Sequence, residues 1–141
     1  MKILVYSYLL LLSFWSPKQG IEGYLREAKG NQMGVEKSGN SKGRPMVGKI
    51  YLFKDLNRED LVELDGQWCK SVQQKPYLMI QTDNKGYFKK ALKAGQYIVL
   101  VEAYDGFFIP FFDQYNQPGK IIVRSKKYTP LDILVNSKAI Y

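Results

Sequence analysis

The chain contains no histidine. That removes Ser-His-Asp and Cys-His catalysis and every metal site built on imidazole. Cysteine occurs once, at Cys69, so no intrachain disulfide can form. With no histidine to activate it, that thiol reads as a partly buried, inert side chain rather than a nucleophile. No apolar run reaches the ~20 residues that a membrane-spanning helix needs. Charge is not blocked either. Basic residues come singly or in pairs, such as Lys89-Lys90 and Lys126-Lys127, and no basic helix is present.

What is present suits one folded domain. The 141 residues are 45% apolar, enough for a core and too apolar for global disorder. Lys and Arg number 21 against 13 Asp and Glu, a formal charge of +8. Such a balance is compatible with nucleic acid, anionic lipid or acidic glycan. The scattered placement favours solvated strand faces, so no nucleic-acid partner is expected.

Residues 1–20 have the order of a secretory signal peptide. Met1-Lys2 is a short positive region, Ile3 to Trp15 is mostly apolar, and Ser16 to Gly20 is polar and breaks structure. No A-x-A pattern marks the cleavage site, and Pro17 disfavours a cut after Ser16. The cut is placed near Gly20. The competing reading is a buried first strand or helix. No cysteine follows the apolar region to carry a lipid. The expectation is an exported protein, periplasmic or secreted, with no membrane span once the signal is removed.

The mature chain reads as short strands separated by turns. Ile21 to Ala28 alternates, with Ile21, Gly23 and Leu25 on one face and Glu22, Tyr24 and Arg26 on the other. Lys29 to Pro45 is a long polar loop. Val47 to Lys54 is a second strand. Asp55 to Gly66 predicts a helical turn or two, capped by Asn57 with Asp60 at the third position. Gln67 to Val72 and Tyr77 to Gln81 are further short strands. Thr82 to Glu102 is the organising stretch. Asn84-Lys85-Gly86 turns the chain, Tyr87 to Leu92 runs extended, and Lys93-Ala94-Gly95 turns it again. Tyr97 to Val101 is an unbroken apolar run, as a strand buried on both faces would be. Pro110 cannot donate to a ladder, so Phe107 to Phe112 belongs on an edge or in a loop. Asp113 to Gly119 is a turn, Ile121 to Arg124 a short strand, and a last strand runs from Leu131 towards Tyr141. The fold class predicted is all-β: an antiparallel Greek-key β-sandwich of about seven strands with at most one short helix.

Several pieces of residues 21–141 resemble one family. Gly86-Tyr87-Phe88, then Leu92, then Gly95-Gln96-Tyr97 is similar to the central signature of carboxypeptidase regulatory-like domains, which form a transthyretin-like (prealbumin-like) sandwich. Ile21-Glu22-Gly23 with Gly30-Asn31-Gln32-Met33, Gly106-Phe107-Phe108 leading to Phe112-Asp113, and the closing Val135 to Tyr141 resemble a small exported subset of that family. Ala94 and Gly34 stand where proline is usual, and the Asp113 to Pro118 turn is less acidic than its counterpart. The resemblance implies a non-catalytic module without zinc ligands. It implies no enzymatic activity, and no metal or other cofactor is expected.

Other constellations are weaker. Glu59-Asp60 and Glu63/Asp65 read as solvated charge rather than an acid–base pair. Lys49 and Asn136 are conceivable isopeptide partners. The aromatic cluster of Tyr104, Phe107, Phe108, Phe111, Phe112 and Tyr115 is the candidate partner-binding site. It is read either as a protein-docking patch or as rings that stack on sugars, against closure of the sandwich edge by every second ring. The functional expectation is an exported module making contacts with an envelope protein. The alternative is a carbohydrate-binding module that uses exposed aromatic residues.

Overall fold

The computed structural model describes residues 18–28 and 43–136. Most of the expected signal peptide, most of the Lys29–Pro45 loop and the last five residues lie outside that range. Within it the chain forms thirteen short strands: β1 (Gly20–Glu27), β2 (Arg44–Pro45), β3 (Lys49–Phe53), β4 (Leu61–Val62), β5 (Trp68–Cys69), β6 (Ser71–Val72), β7 (Leu78–Gln81), β8 (Tyr87–Ala91), β9 (Gly95–Ala103), β10 (Gly106–Phe108), β11 (Lys120–Val123), β12 (Tyr128–Pro130) and β13 (Ile133–Val135). The only helical piece among the described residues is one 3-10 turn at Arg58–Asp60. There the Asn57 N–H donates to the Asp60 carboxylate at 2.9 Å. The fold is an all-β sandwich.

Its first sheet is centred on β1. β8 and β2 pair antiparallel with one side of that strand. β12 and β13 pair with β1 in parallel register. These two parallel pairings depart from the purely antiparallel sandwich expected. The reason lies in the path of the chain. β11 belongs to the second sheet, and a turn at residues 124–127 delivers β12 into the first, running along β1. The chain then crosses Gly23 at Leu131 and continues as β13 in the same direction. Leu131 N–H donates to the Glu22 carbonyl at 2.9 Å. A Cβ on Gly23 would lie 1.8 Å from the Leu131 carbonyl oxygen, so the crossing requires glycine.

The second sheet has the order β5-β10-β9-β3-β7, with β11 paired to the other half of β9. All its pairings are antiparallel. β10 therefore lies between two strands rather than on an edge. Only Ile109 to Phe112, with Pro110, leaves the ladder. Gln67 to Val72 forms two separate two-residue strands, β5 and β6.

Two apolar layers follow from strand alternation. Between the sheets, Ile21, Leu25, Phe88 and Val135 meet Ile50, Leu52, Tyr97, Val99, Val101 and Phe108. On the other side of the second sheet, Phe53, Ile98, Leu100, Cys69 and Ile109 are covered by Leu56 and Leu61, with Leu64 and Val72 packed against them. The segment from Lys54 to Leu64, with β6 laddered to β4, is thus a lid over the second sheet. Both faces of β9 are covered, and residues 97–101 are each no more than 2% exposed. The outer face of the first sheet has no such cover among the described residues.

Candidate functional site

The aromatic cluster does not form one surface. Phe108 is buried between the sheets at 1% exposure, against Trp68 at 5.3 Å. Phe107 and Phe112 pack into the second core, and Phe107 meets Tyr51 edge-on at 5.6 Å. Phe111 is half-exposed, and its ring lies over Gly119. Tyr115 is 74% exposed at the tip of the Asp113–Gln117 turn. That turn docks on the lid, where Arg58 N–H donates to the Gln117 side chain at 2.8 Å. Tyr104 sits in the β9–β10 turn with a left-handed φ of 56°. Its hydroxyl bonds the Glu27 carboxylate, which raises its pKa, with burial adding to the effect. Tyr104 reaches the first sheet while Tyr115 stands on the lid of the second. The structure brings no more than two of the six together.

Beside Tyr104 is an open hollow of about 530 Å³ lined by Glu63, Asp65, Trp68, Lys70 and Asp105 among others. Lys70 is 3.6 Å from Glu63 and neutralises part of the acidic rim. Trp68 and Cys69 are both buried and have further partners. Glu59 and Asp60 lie on the 3-10 turn, where Asp60 also accepts from Gln74 at 2.7 Å. Among the described residues no group of three or more acidic or thiol side chains is placed to hold a metal ion. Lys49 lies on β3 opposite Glu102, whereas Asn136 follows β13 in the other sheet, so the two share neither strand pair nor sheet.

The most organised surface is the outer face of the first sheet. Ile21, Gly23 and Leu25 point inward, so Glu22, Tyr24 and Arg26 point out. Pairing then sets β8 beside them: Tyr87 is opposite Tyr24, and Lys89 is opposite Glu22. On the other flank Pro130 is opposite Glu22, and Tyr128 is opposite Gly20. Three tyrosines from three strands thus share one face. The Tyr24 and Tyr87 rings are 5.3 Å apart and tilted at 55°. The Arg26 guanidinium lies 4.8 Å from the centre of the Tyr24 ring, and the Lys89 ammonium 4.5 Å from that of Tyr128. Tyr87 donates its hydroxyl to Glu22 at 2.7 Å. That hydrogen bond, with burial and the carboxylate charge behind it, pushes the Tyr87 pKa up to about 12. Tyr87 is therefore a neutral donor at any physiological pH. Tyr24 N–H is held by the Asp132 carboxylate at 3.0 Å, which anchors the crossing chain to this face. Apolar ring faces flanked by charged and hydrogen-bonding groups suit a ligand that is itself part apolar and part polar.

Sequence reasoning missed this face because Tyr24, Tyr87 and Tyr128 are far apart along the chain. Alternation alone places Tyr24 outward. Only the strand pairing adds the other two.

Fold and surface together define an all-β sandwich with a lid on one sheet and, among the described residues, no cover on the outer face of the other. Comparison with protein-family models, with curated proteins and with solved structures gives no match.

Proposed function

We propose that this chain is an exported, non-catalytic β-sandwich module of the carboxypeptidase regulatory-like type that works by binding in the cell envelope, and that its ligand is a glycan. The observation that carries the reading is the outer face of the first sheet, where Tyr24, Tyr87 and Tyr128 stand among Glu22, Arg26 and Lys89. Pyranose rings have apolar C–H faces and hydroxyl rims, and aromatic rings with nearby hydrogen-bonding groups recognise both. The non-catalytic reading is supported by the lack of histidine and by where the displaced proton affinities fall. Tyr51, Tyr87, Tyr97 and Tyr104 are all raised, each by burial or by a structural hydrogen bond.

Contact with an envelope protein is the second reading. It is favoured by the exposed Phe111 and Tyr115 on one short segment. Strand addition is disfavoured at β8, because Lys89 and Lys90 charge that edge.

The test is retention of the purified protein on an envelope fraction, with and without protease treatment of the fraction. The expected result is retention that survives protease, is competed by soluble glycan, and falls at least tenfold in the Tyr24→Ala variant. Retention abolished by protease, and lost instead in Phe111→Ser, would replace this reading with protein docking.

A further inference from the structure

From the hairpin that joins the two sheets we infer that the glycan bound is acidic, and that its anionic substituents sit in a basic hollow between β11 and β12. This inference rests on the glycan reading above and specifies its chemistry. The hollow has a volume of about 410 Å³ and is lined by Lys120, Ile122, Arg124, Lys127 and Tyr128, with Thr129 and Pro130 completing it. Three of these residues are cationic and none is acidic. Lys120 and Ile122 fall on one face of β11, Arg124 directly after the strand is exposed, and Ile122 is 46% exposed. Lys127 and Tyr128 approach from the turn and from β12. Among the described residues none of the three cations is in an ion pair. The Thr129 hydroxyl is used internally, donating to the Ile122 carbonyl at 2.7 Å. Tyr128 joins the hollow to the tyrosine face, since its ring also carries the Lys89 ammonium at 4.5 Å.

The volume lies in the range of small-ligand pockets, and a sugar unit is of that order. Ile122, Pro130 and the edge of Tyr128 offer apolar wall to a sugar ring. Uncompensated Lys and Arg at the rim match carboxylate, sulfate or phosphate groups carried on it, with Arg124 able to engage two oxygens at once. Single-stranded nucleic acid needs successive exposed rings on which bases stack. Tyr128 is the one ring lining the hollow, and the neighbouring Tyr24 and Tyr87 rings are tilted at 55° against each other rather than laid out as successive platforms. A neutral polysaccharide would leave the cluster of like charges without a partner.

The probes are polygalacturonate, a matched neutral galactan, single-stranded DNA and anionic lipid vesicles. Binding to the whole protein is read by affinity electrophoresis and calorimetry. Polygalacturonate is expected to bind at least tenfold more tightly than galactan, and the preference to fall as salt screens the rim. The Arg124→Gln/Lys127→Gln variant should lose tenfold or more. The control Lys75→Gln/Lys85→Gln, which removes the same charge elsewhere, should lose less than twofold. Equal losses in the two variants would reduce the binding to net charge and overturn the inference. So would tighter binding to DNA or vesicles than to polygalacturonate. Equal binding to galactan and polygalacturonate, weakened by Tyr24→Ala but not by the charge variant, would remove the acidic preference while leaving the glycan reading intact. No binding to either polysaccharide would end both. All the altered side chains are exposed, and unchanged melting temperatures show that a loss is not unfolding.

Discussion

Single residues in this protein are held by two kinds of constraint, proton affinity and backbone space. Tyr51 donates its hydroxyl to Glu102 at 2.6 Å on the outer face of the second sheet. That bond first, then burial and the carboxylate charge, pushes its pKa up to about 12. In the unfolded chain the value is near 10. A raised folded-state pKa gives stability that is complete below pH 10 and is lost as pH rises from about 10 towards 12, because the unfolded chain then releases a proton that the folded chain keeps. Melting temperatures measured from pH 9 to 12 should therefore fall more steeply for the native protein than for Tyr51→Phe. Parallel curves would mean that the bond does not survive in solution. Gly86 illustrates the second constraint. Its φ is +77°, and a Cβ there would lie 2.2 Å from the Leu25 carbonyl oxygen. That glycine was legible in the sequence as a turn residue. The contact with Leu25 was not, because it belongs to another strand. Gly86→Ala is expected to cost about 2 kcal/mol or more by chemical denaturation. Asn116→Gly should be within about 0.5 kcal/mol of the parent, since Asn116 already adopts φ +64° in a turn without that collision.

Elements repeat one local solution. In the Asp83–Tyr87 turn the aspartate carboxylate accepts from the N–H groups of Lys85 at 2.8 Å and Tyr87 at 2.9 Å. The Asp113–Gln117 turn does the same, accepting from Tyr115 at 2.8 Å and Gln117 at 3.0 Å. In both, the fourth residue is left-handed and donates its N–H back to the aspartate carbonyl. A short side chain thus satisfies two backbone donors that the turn would otherwise turn towards water. The carboxylates are occupied by backbone. The start of β1 shows the opposite case, an element whose limits the sequence obscured. The polar stretch Ser16 to Gly20 looks like the exit of a signal peptide, yet Gln19 is 6% exposed and part of the frame. Its side chain donates to the Leu92 carbonyl at 3.1 Å and accepts from Lys126 N–H at 3.1 Å, tying β8 and the β11–β12 turn to β1. A glutamine so buried has no apolar signature to announce it. A protein beginning at Lys18 is expected to be more stable than one beginning at Ile21, by roughly 1–3 kcal/mol, from the loss of those bonds. Equal unfolding midpoints would show that water replaces Gln19 without cost.

Among the described residues the two large sheets of the molecule are unequally covered, and that asymmetry separates what was readable from what was not. The apolar run Tyr97 to Val101 announced a strand covered on both faces, and the structure buries each of its residues. Short-range periodicity carries that information. The parallel docking of β12 and β13, and the meeting of Tyr24, Tyr87 and Tyr128 on one face, depend on pairings between distant segments that no local pattern encodes. The aromatic segment 104–115 follows the same rule: alternation and the lid divide its rings between two cores and the solvent.

The lid also governs how the molecule opens. It is held by the two-residue ladder of β4 with β6 and by side chains such as Leu56 and Leu61, whereas β9 is paired along both edges. Small units with few ladder bonds open at lower free energy than the strands they cover. Native-state hydrogen exchange should therefore release the ladder amide of Lys70, which donates to Val62, well before those of Val99 to Val101. Opening the lid exposes Leu100 and Ile98 to water but leaves the inter-sheet core closed. Leu100→Ala, which hollows the lidded layer, is then expected to cost about 2–5 kcal/mol and to destabilise the lid and the second sheet together. Leu61→Ala should speed exchange in the lid by a larger factor than it lowers the global unfolding midpoint, because the lid is lost first. If Leu61→Ala instead accelerated every protected amide equally, the lid and sandwich would unfold as one unit.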